Sequence, residues 1–172
     1  MKTFLIAALS ADGFIAKDSG HLADWTSKED KKFFMETTKK AGVIIMGQNT
    51  YETIGKPLPD RLNIVYSYDK EYEGVEVTQK NPKELLLDLE KRGYKEVAIT
   101  GGSQIYTMFM EQGLVDTLYL SVEPVIFGKG MTLFNKELDI KLELISSQKL
   151  GSQTTLFEYS TIKTKSDLGT KN

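Results

Sequence analysis

The chain of 172 residues contains no cysteine and only one histidine. The absence of cysteine excludes disulfides, thiolate metal ligands and a cysteine nucleophile. A single histidine argues against a multi-histidine metal centre and against most histidine-based catalytic triads. We therefore predict no metal site, and we expect His21, which falls in a long loop, to be exposed to solvent.

A strong charge bias and long hydrophobic runs are also missing. The net charge of −2 gives no electrostatic reason to expect binding of nucleic acid or of an anionic membrane. The first apolar run, in MKTFLIAALSADG, contains Ser10 and stops at Asp12, which is not typical of a signal peptide. No segment approaches the length of a membrane span. These features predict a cytoplasmic protein whose partner is a small molecule, with no nucleic-acid or membrane partner.

Runs of small and branched apolar residues predict buried strands at 3–11, 42–47, 62–67 and 96–102. Helices fit between these runs. Thr26 and Glu29 read as a capping box for a helix over residues 27–40. For a second helix over 82–92, Asn81 is the expected N-cap, Pro82 the first helical residue and Gly93 the stop signal, and a third helix is predicted from about residue 103 to Gly113.

Beyond residue 113 the pattern changes to strands alone, in VDTLYLSVEPVIFG, IKLELISSQKL and TTLFEYSTI. Parallel α/β units followed by a terminal strand pair predict a mixed sheet with helices on both faces. We expect one domain over residues 1–162 and a polar tail over residues 163–172.

Two strand-to-helix junctions contain glycine. In ITGGSQIY the glycines precede a helix start, where backbone N–H groups can bind a pyrophosphate. In MGQNTY the turn residue is Gly47, and Asn49 and Thr50 are candidate caps of the following helix. The alternative, that both junctions are only tight turns, stays open on this pattern.

Asp30 and Phe34 are four residues apart on the first predicted helix and therefore share one face. A flat heteroaromatic ring could pack on Phe34 while the carboxylate binds an amidine-like N–C–N edge. Alternatively, Asp30 is a first-turn residue favoured by the helix dipole, and Phe34 belongs to the core.

Five motifs in order, spread over residues 3–134, resemble dihydrofolate reductase: LIAALSADGFIA, Trp25 five residues before Asp30, MGxxTYExIGxPLPxRxNIVxS, GGSQIY and VDTLYLS. Within this superfamily, SADGFIA, DWTSKED and EPVIFGKGMTLF look like the reductase domain of the riboflavin-pathway deaminase–reductase and its stand-alone relatives. Asp24 stands where proline usually precedes the tryptophan, and Gln48 where an arginine commonly meets the cofactor's 2′-phosphate. The PLPDR segment and the Asp30/Phe34 pair are closer to the folate enzymes.

The resemblance implies a dihydrofolate-reductase-like three-layer fold with its site between the first strand, the Asp30 helix and the 50–61 turn. Asp30 would anchor the substrate ring and help to deliver a proton. Arg61 would hold an anionic tail, although it could instead be a surface arginine paired with Asp60. The residues expected to contact substrate are Ile6, Ala8, Phe34, Ile54, Leu58, Arg61 and Ser121. The cofactor, NADPH, would contact Ala8, Ile15, Gly47, Gln48, Asn49, Thr50, Ser67, Gly101, Gly102, Ser103, Gln104, Ile105 and Tyr106.

Three functions follow from this reading. The first is an NADPH-dependent reductase of a pyrimidine or pterin C=N or imine, similar to 5-amino-6-(5-phosphoribosylamino)uracil reductase of riboflavin biosynthesis. The second is an authentic dihydrofolate reductase. The third is a ligand-binding relative without turnover. Relatives of the first kind are often dimers, so a homodimer is a further expectation by analogy.

Overall fold

The computed structural model describes residues 1–162 of the chain, and an eight-stranded sheet forms its centre. The strand order across this sheet is β5-β4-β3-β6-β1-β7-β10-β9. The strands are β1 (Lys2–Ser10), β2 (Phe14–Ala16), β3 (Val43–Gly47), β4 (Leu62–Tyr66), β5 (Glu76–Thr78), β6 (Glu96–Ile99), β7 (Thr117–Glu123), β8 (Met131–Thr132), β9 (Leu142–Leu150) and β10 (Thr154–Thr161). The helices are α1 (Lys28–Ala41), α2 (Gln48–Ile54), α3 (Pro82–Lys91) and α4 (Ser103–Glu111).

The sheet is mixed and mostly parallel, as the sequence predicted. Strands β5, β4, β3, β6, β1 and β7 pair in parallel. Strand β10 pairs antiparallel with both β7 and β9, so one edge of the sheet is an antiparallel strand pair. Because the other six strands run in parallel, their carboxyl ends lie along one side of the sheet, where ligands usually bind in open α/β folds.

Helices cover both faces of the sheet, which explains why residues 4–9 of β1 are all apolar. Leu5 and Ala7 pack into a core that contains side chains of α3 and α4. Phe4 and Ile6 point the other way, into a core with side chains of α1 and α2. Successive side chains of a strand alternate between faces, so a strand buried on both faces must be apolar throughout. The predicted three-layer fold is confirmed.

The start of α1 differs from the prediction by one residue. Its N-cap is Ser27, whose side chain accepts the N–H of Asp30 at 3.1 Å, so the capping box assigned to Thr26 and Glu29 is wrong. Helix α2 is capped by neither Asn49 nor Thr50, because Gly47 occupies the N-cap position and both residues are already helical. By contrast, Asn81 caps α3 as predicted and accepts the N–H of Lys83.

A small second sheet of β2 and β8 was not predicted. It pairs Phe14 with Thr132 and Ala16 with Met131. The close approach of β8 to β2 requires glycine at position 130, because a Cβ built there would lie 2.3 Å from the Ala16 carbonyl oxygen. Within residues 1–162, none of the helices is long and apolar enough to cross a bilayer. The predicted tail, residues 163–172, lies outside the described residues.

Candidate active site

A cavity of about 1270 Å³ opens at the carboxyl ends of the parallel strands. Its walls come from the end of β1, from the first two turns of α1, from α2, from the glycine turn before α4 and from the segment around β2. The volume exceeds that of a typical single-ligand pocket, so a dinucleotide and a second small molecule could share it.

Asp30 lies in the wall of this cavity with only 7% of its surface exposed. The hydroxyl of Ser121, on the adjacent strand β7, donates a short hydrogen bond to Asp30 Oδ1. Burial raises the pKa of Asp30 above its ordinary value, and the nearby charge of Glu123 raises it further against the opposing effect of the Ser121 bond. The arrangement favours a carboxyl group that can hold a proton nearer to neutral pH.

Glu123 is a second buried carboxylate, 2% exposed, which the sequence reasoning missed. Its Oε1 accepts the backbone N–H and the hydroxyl of Ser27, each at 2.9 Å. Its Oε2 accepts the hydroxyl of Thr154 at 2.8 Å. An acidic residue at the end of the mostly apolar strand TLYLSVE was the available signal, because a charge on a buried strand needs a partner.

The substrate walls predicted from the sequence are partly assembled here. Ile6, Ala8, Phe34 and Ile54 line the cavity together with Asp30. Behind them, the buried hydroxyl of Tyr106 donates to the carbonyl oxygen of Ile6 at 2.7 Å. Ser121 lies behind Asp30, as expected, and contacts it directly. The catalytic and binding roles themselves stay predictions.

Leu58 and Arg61 do not line the cavity. Arg61 donates from Nε to the Pro59 carbonyl oxygen at 2.9 Å and from Nη1 to the hydroxyl of Thr38 on α1. The suggested partner of Arg61, Asp60, instead forms an ion pair with Lys39 at 2.7 Å. Arg61 is therefore held rigidly beside α1, outside the wall that contains Asp30.

Every residue predicted to contact the cofactor lines the cavity. The two glycine junctions meet directly, because the N–H of Gly47 donates to the Gly101 carbonyl oxygen at 2.7 Å. A Cβ at Gly47 would approach Ile105 to 3.1 Å, and one at Gly101 would approach the Tyr106 hydroxyl to 3.2 Å. Gly102 is the N-cap of α4, and no side-chain hydrogen bond caps the first turn. This bare backbone cradle fits a pyrophosphate at the start of α4.

Gln48 lines the same cavity as Asp30 and is held by a hydrogen bond from a neighbouring side chain. The Ser67 hydroxyl donates to Gln48 Oε1 at 3.0 Å. The nearby cation Lys70 is bound to Glu52 at 2.6 Å, and Tyr72 donates to the same carboxylate at 2.7 Å. The hydrogen bond from Lys70 lowers the pKa of Glu52. Gln48 thus offers hydrogen bonds to a ligand but no charge.

The segment between β2 and α1 closes one side of the cavity. His21 lines the cavity, accepts the Lys17 N–H on Nδ1 at 3.1 Å and stacks parallel to Trp25 with ring centroids 6.4 Å apart. It is half-buried, so the expectation of a solvent-exposed histidine is wrong. Phe127 packs edge-on against both rings, and Asp12 holds that loop by accepting the N–H groups of Phe127 and Gly128. Aromatic contacts across 100 residues could not be seen in local sequence patterns.

Comparison with known proteins places this architecture among reductases. A sequence model described as dihydrofolate reductase matches residues 2–162. Dihydrofolate reductase type 3 of Salmonella typhimurium is 37% identical over 119 residues, which are 68% of this chain and 68% of that protein.

Two solved structures have the same fold. Dihydrofolate reductase from Enterococcus faecalis, complexed with NADP(H) and RAB-propyl, superposes with a TM-score of 0.77 and 28% identity over 94% of this chain and 97% of that one. A putative riboflavin biosynthesis protein from Shewanella sp. PV-4 superposes with a TM-score of 0.79 over 95% and 100% of the two chains. At 21% identity, this second likeness concerns the fold alone.

Proposed function

The chain belongs to the dihydrofolate reductase family, and from this premise we propose that it is an NADPH-dependent reductase of a C=N bond in a pyrimidine- or pterin-type substrate. The observation that carries the proposal is the buried Asp30 carboxyl group in the wall of a cavity that also contains a glycine-lined phosphate cradle. The two features would supply the acid and the cofactor site that such a reduction requires.

Asp30 would bind and protonate the substrate. A protonated carboxyl group can accept one N–H of an amidine-like ring edge and donate its own proton to the adjacent ring nitrogen, and Phe34 and Ile54 would hold the ring between apolar surfaces. The raised pKa of Asp30 lets this group retain a proton that it can release toward the ring nitrogen as the adjacent carbon is reduced. Ser121 would keep the carboxyl group oriented through its hydrogen bond to Oδ1.

The cofactor would be held by the two glycine junctions. The first turn of α4 would take the pyrophosphate, with Gly101 and Gly102 allowing close approach of the backbone. Gln48 and Ser67 would meet the adenosine end, and Ala8, Ile15 and Tyr106 the ring end. When bound, the nicotinamide supplies the hydride. The segment with His21 and Trp25 would exclude water from the reacting end.

Replacement of Asp30 by asparagine tests this assignment. D30N keeps the side-chain size and removes the titrating proton, so kcat should fall by about two orders of magnitude or more. The dissociation constant of NADPH, measured by fluorescence titration, should stay nearly constant. The matched control is D24N, because Asp24 is exposed and does not line the cavity. Near-normal turnover of D30N would contradict a catalytic role of Asp30. If the wild type binds NADPH but reduces neither dihydrofolate nor the pyrimidine substrate, the ligand-binding alternative is favoured.

A pyrimidine intermediate with a sugar phosphate is one substrate candidate. Its anion lies close to the reacting carbon, so it needs a cation near Asp30. Lys31 lines the cavity next to Asp30 and could fill that position, whereas Arg61 does not line the cavity. This placement favours 5-amino-6-(5-phosphoribosylamino)uracil or a related compound.

Dihydrofolate is the second candidate. Relatives named dihydrofolate reductase support it, and the Asp30–Phe34 face suits the N–C–N edge of a pterin. Arg61 also supports it, because its bonds to Thr38 and Pro59 preorganise the guanidinium for the carboxylate of a glutamate tail outside the main cavity.

A Michaelis series on both substrates separates the candidates. With dihydrofolate, R61L should raise KM roughly ten- to a hundredfold and change kcat much less, because the tail contact is remote from the ring. With the pyrimidine, loss of a phosphate anchor misplaces the reacting bond, so K31M should lower kcat and R61L should have little effect. The control is R92L, since Arg92 pairs with Glu76 at the end of α3. Efficient wild-type reduction of dihydrofolate with a pure KM effect of R61L would exclude the pyrimidine candidate.

A further inference from the structure

Strand β7 contacts the first turn of α1 at two points. Ser121 and Glu123 are two residues apart on β7 and therefore point to the same face of the sheet. Ser121 binds the Asp30 carboxyl group, while Glu123 binds Ser27, the N-cap residue three positions before Asp30. The carboxyl groups of Asp30 and Glu123 are thus both held at the first turn of α1.

The contacts of Glu123 match a charged carboxylate. Its three hydrogen bonds come from the Ser27 N–H, the Ser27 hydroxyl and the Thr154 hydroxyl, so donors surround both oxygens. The amino-terminal end of α1 adds a favourable dipole. Thr154 and Glu123 are almost completely inaccessible to solvent, so little water screens this charge.

We infer that Glu123 is a positioning residue whose hydrogen bonds to the cap of α1 hold its carboxyl group beside Asp30, where it disfavours the ionised form of Asp30. This inference rests on the proposed function, in which Asp30 delivers a proton. It gives a role to Glu123, a buried acid that takes no direct part in the proposed reduction.

The charged groups around Asp30 agree with this role. Glu123, on β7, raises the pKa of Asp30 by repulsion, after the larger effect of burial. Lys31, on α1, lowers the pKa of Asp30, but Lys31 is exposed to solvent. Tyr106, on α4, is uncharged near neutral pH, because burial raises the pKa of its hydroxyl. Glu123 is thus the buried charge of the described residues that acts on Asp30.

Removal of the Glu123 charge should move the titration of Asp30 toward lower pH. Glutamine can still accept the Ser27 N–H, so E123Q preserves the cap while it removes the repulsion. The Asp30 carboxyl carbon can be followed by 13C NMR in the free protein and identified by its loss in D30N. Its midpoint should fall in E123Q, and at pH 8 kcat should fall roughly three- to tenfold, with a smaller loss at pH 6.

E158Q is the matched control, because Glu158 lies on the neighbouring strand β10 and binds Tyr119 and Ser146 instead. It should leave the Asp30 midpoint in place. A second neutral variant, E123M, replaces E123Q if the latter lacks a native near-UV circular dichroism spectrum.

An unchanged Asp30 midpoint in a folded E123Q or E123M protein overturns the inference, even if the reductase activity is normal. A lowered midpoint in a protein that reduces neither substrate supports the coupling of the two carboxylates and refutes the proposed function. The NMR measurement needs no cofactor or substrate, so the two failures can be distinguished.

Discussion

At the scale of single residues, the site combines groups that cost the folded protein free energy. Asp30 is buried with a short hydrogen bond from Ser121, and burial raises its pKa above the ordinary 3.8. The folded protein therefore binds this proton more tightly than the unfolded chain does. The resulting stability is fully present below pH 3.8 and is lost as the pH rises through the folded-state value.

Thermal unfolding of D30N should show this cost directly. Asparagine removes the charge that burial opposes, so D30N should be more stable than wild type at pH 8, by on the order of 1 kcal/mol. The advantage should shrink as the pH approaches 4, where the wild-type carboxyl group is protonated. Calorimetry at several pH values checks the trend. An advantage that is the same at pH 4 and pH 8 would contradict a raised pKa.

At the scale of elements, the amino-terminal turn of α1 connects the sheet to the candidate catalytic residue Asp30. Ser27 caps the helix, donates to the buried Glu123 and lies three residues before Asp30. The local cap could be read from sequence only to within one residue, because Thr26 and Ser27 are both good capping residues. The contact of Ser27 with the buried Glu123 on β7 makes Ser27, and not Thr26, the cap.

The Ser27 cap should be more costly to remove than an ordinary one. At the exposed cap of α3, N81A should cost about 1 kcal/mol of unfolding free energy, the typical value of a cap. S27A should cost roughly 1–3 kcal/mol more, because it also removes a donor from the buried Glu123. Urea unfolding of both variants measures the difference. Equal costs would show that the Ser27–Glu123 bond contributes little to stability.

The β2–β8 pair depends on the absence of a side chain at position 130. G130A should separate β2 from β8, because the Cβ would meet the Ala16 carbonyl oxygen of the backbone. Ile15 and Ala16 line the cavity, so NADPH affinity should fall about tenfold or more. The control is G20A, where the nearest atom is a side-chain oxygen at an ordinary 3.6 Å. Unchanged NADPH binding in G130A would show that this small sheet does not shape the cofactor site.

At the scale of the whole molecule, the sheet brings the two glycine turns and a buried acid into the wall of one cavity. The parallel strands β1, β3, β4 and β6 bring their carboxyl ends to the same side, so residues far apart in sequence share the site. The expected homodimer stays a prediction.

The charge at the adenosine end should control the choice between NADPH and NADH. Gln48 supplies hydrogen bonds without charge, and Lys70 is bound to Glu52, so wild-type preference for NADPH should be less than about tenfold. Q48R should increase the preference by about tenfold or more, through a charge-assisted pair with the 2′-phosphate. Calorimetric titration with each cofactor, and the rise in Tm that each causes, measure the preference for NADPH over NADH. The control is Q153R, on the β9–β10 turn. Tighter binding of NADH by the wild type would overturn the choice of NADPH.

The sequence determined the longer strands, α1, α3, α4 and the mixed sheet, but not the short strands β2, β5 and β8. The apolar runs and the Asn81, Pro82 and Gly93 signals act over a few residues. The resemblance also located Asp30 and the glycine turns, whose chemistry depends on the local backbone. Tertiary structure decided which side chains reach the cavity. Arg61 and Leu58 stand outside its walls, and Glu123 meets Ser27 although 96 residues separate them. Such contacts depend on strand order and on the packing of α1 against β7, and no local pattern of residues specifies the distance between two segments that meet only after folding.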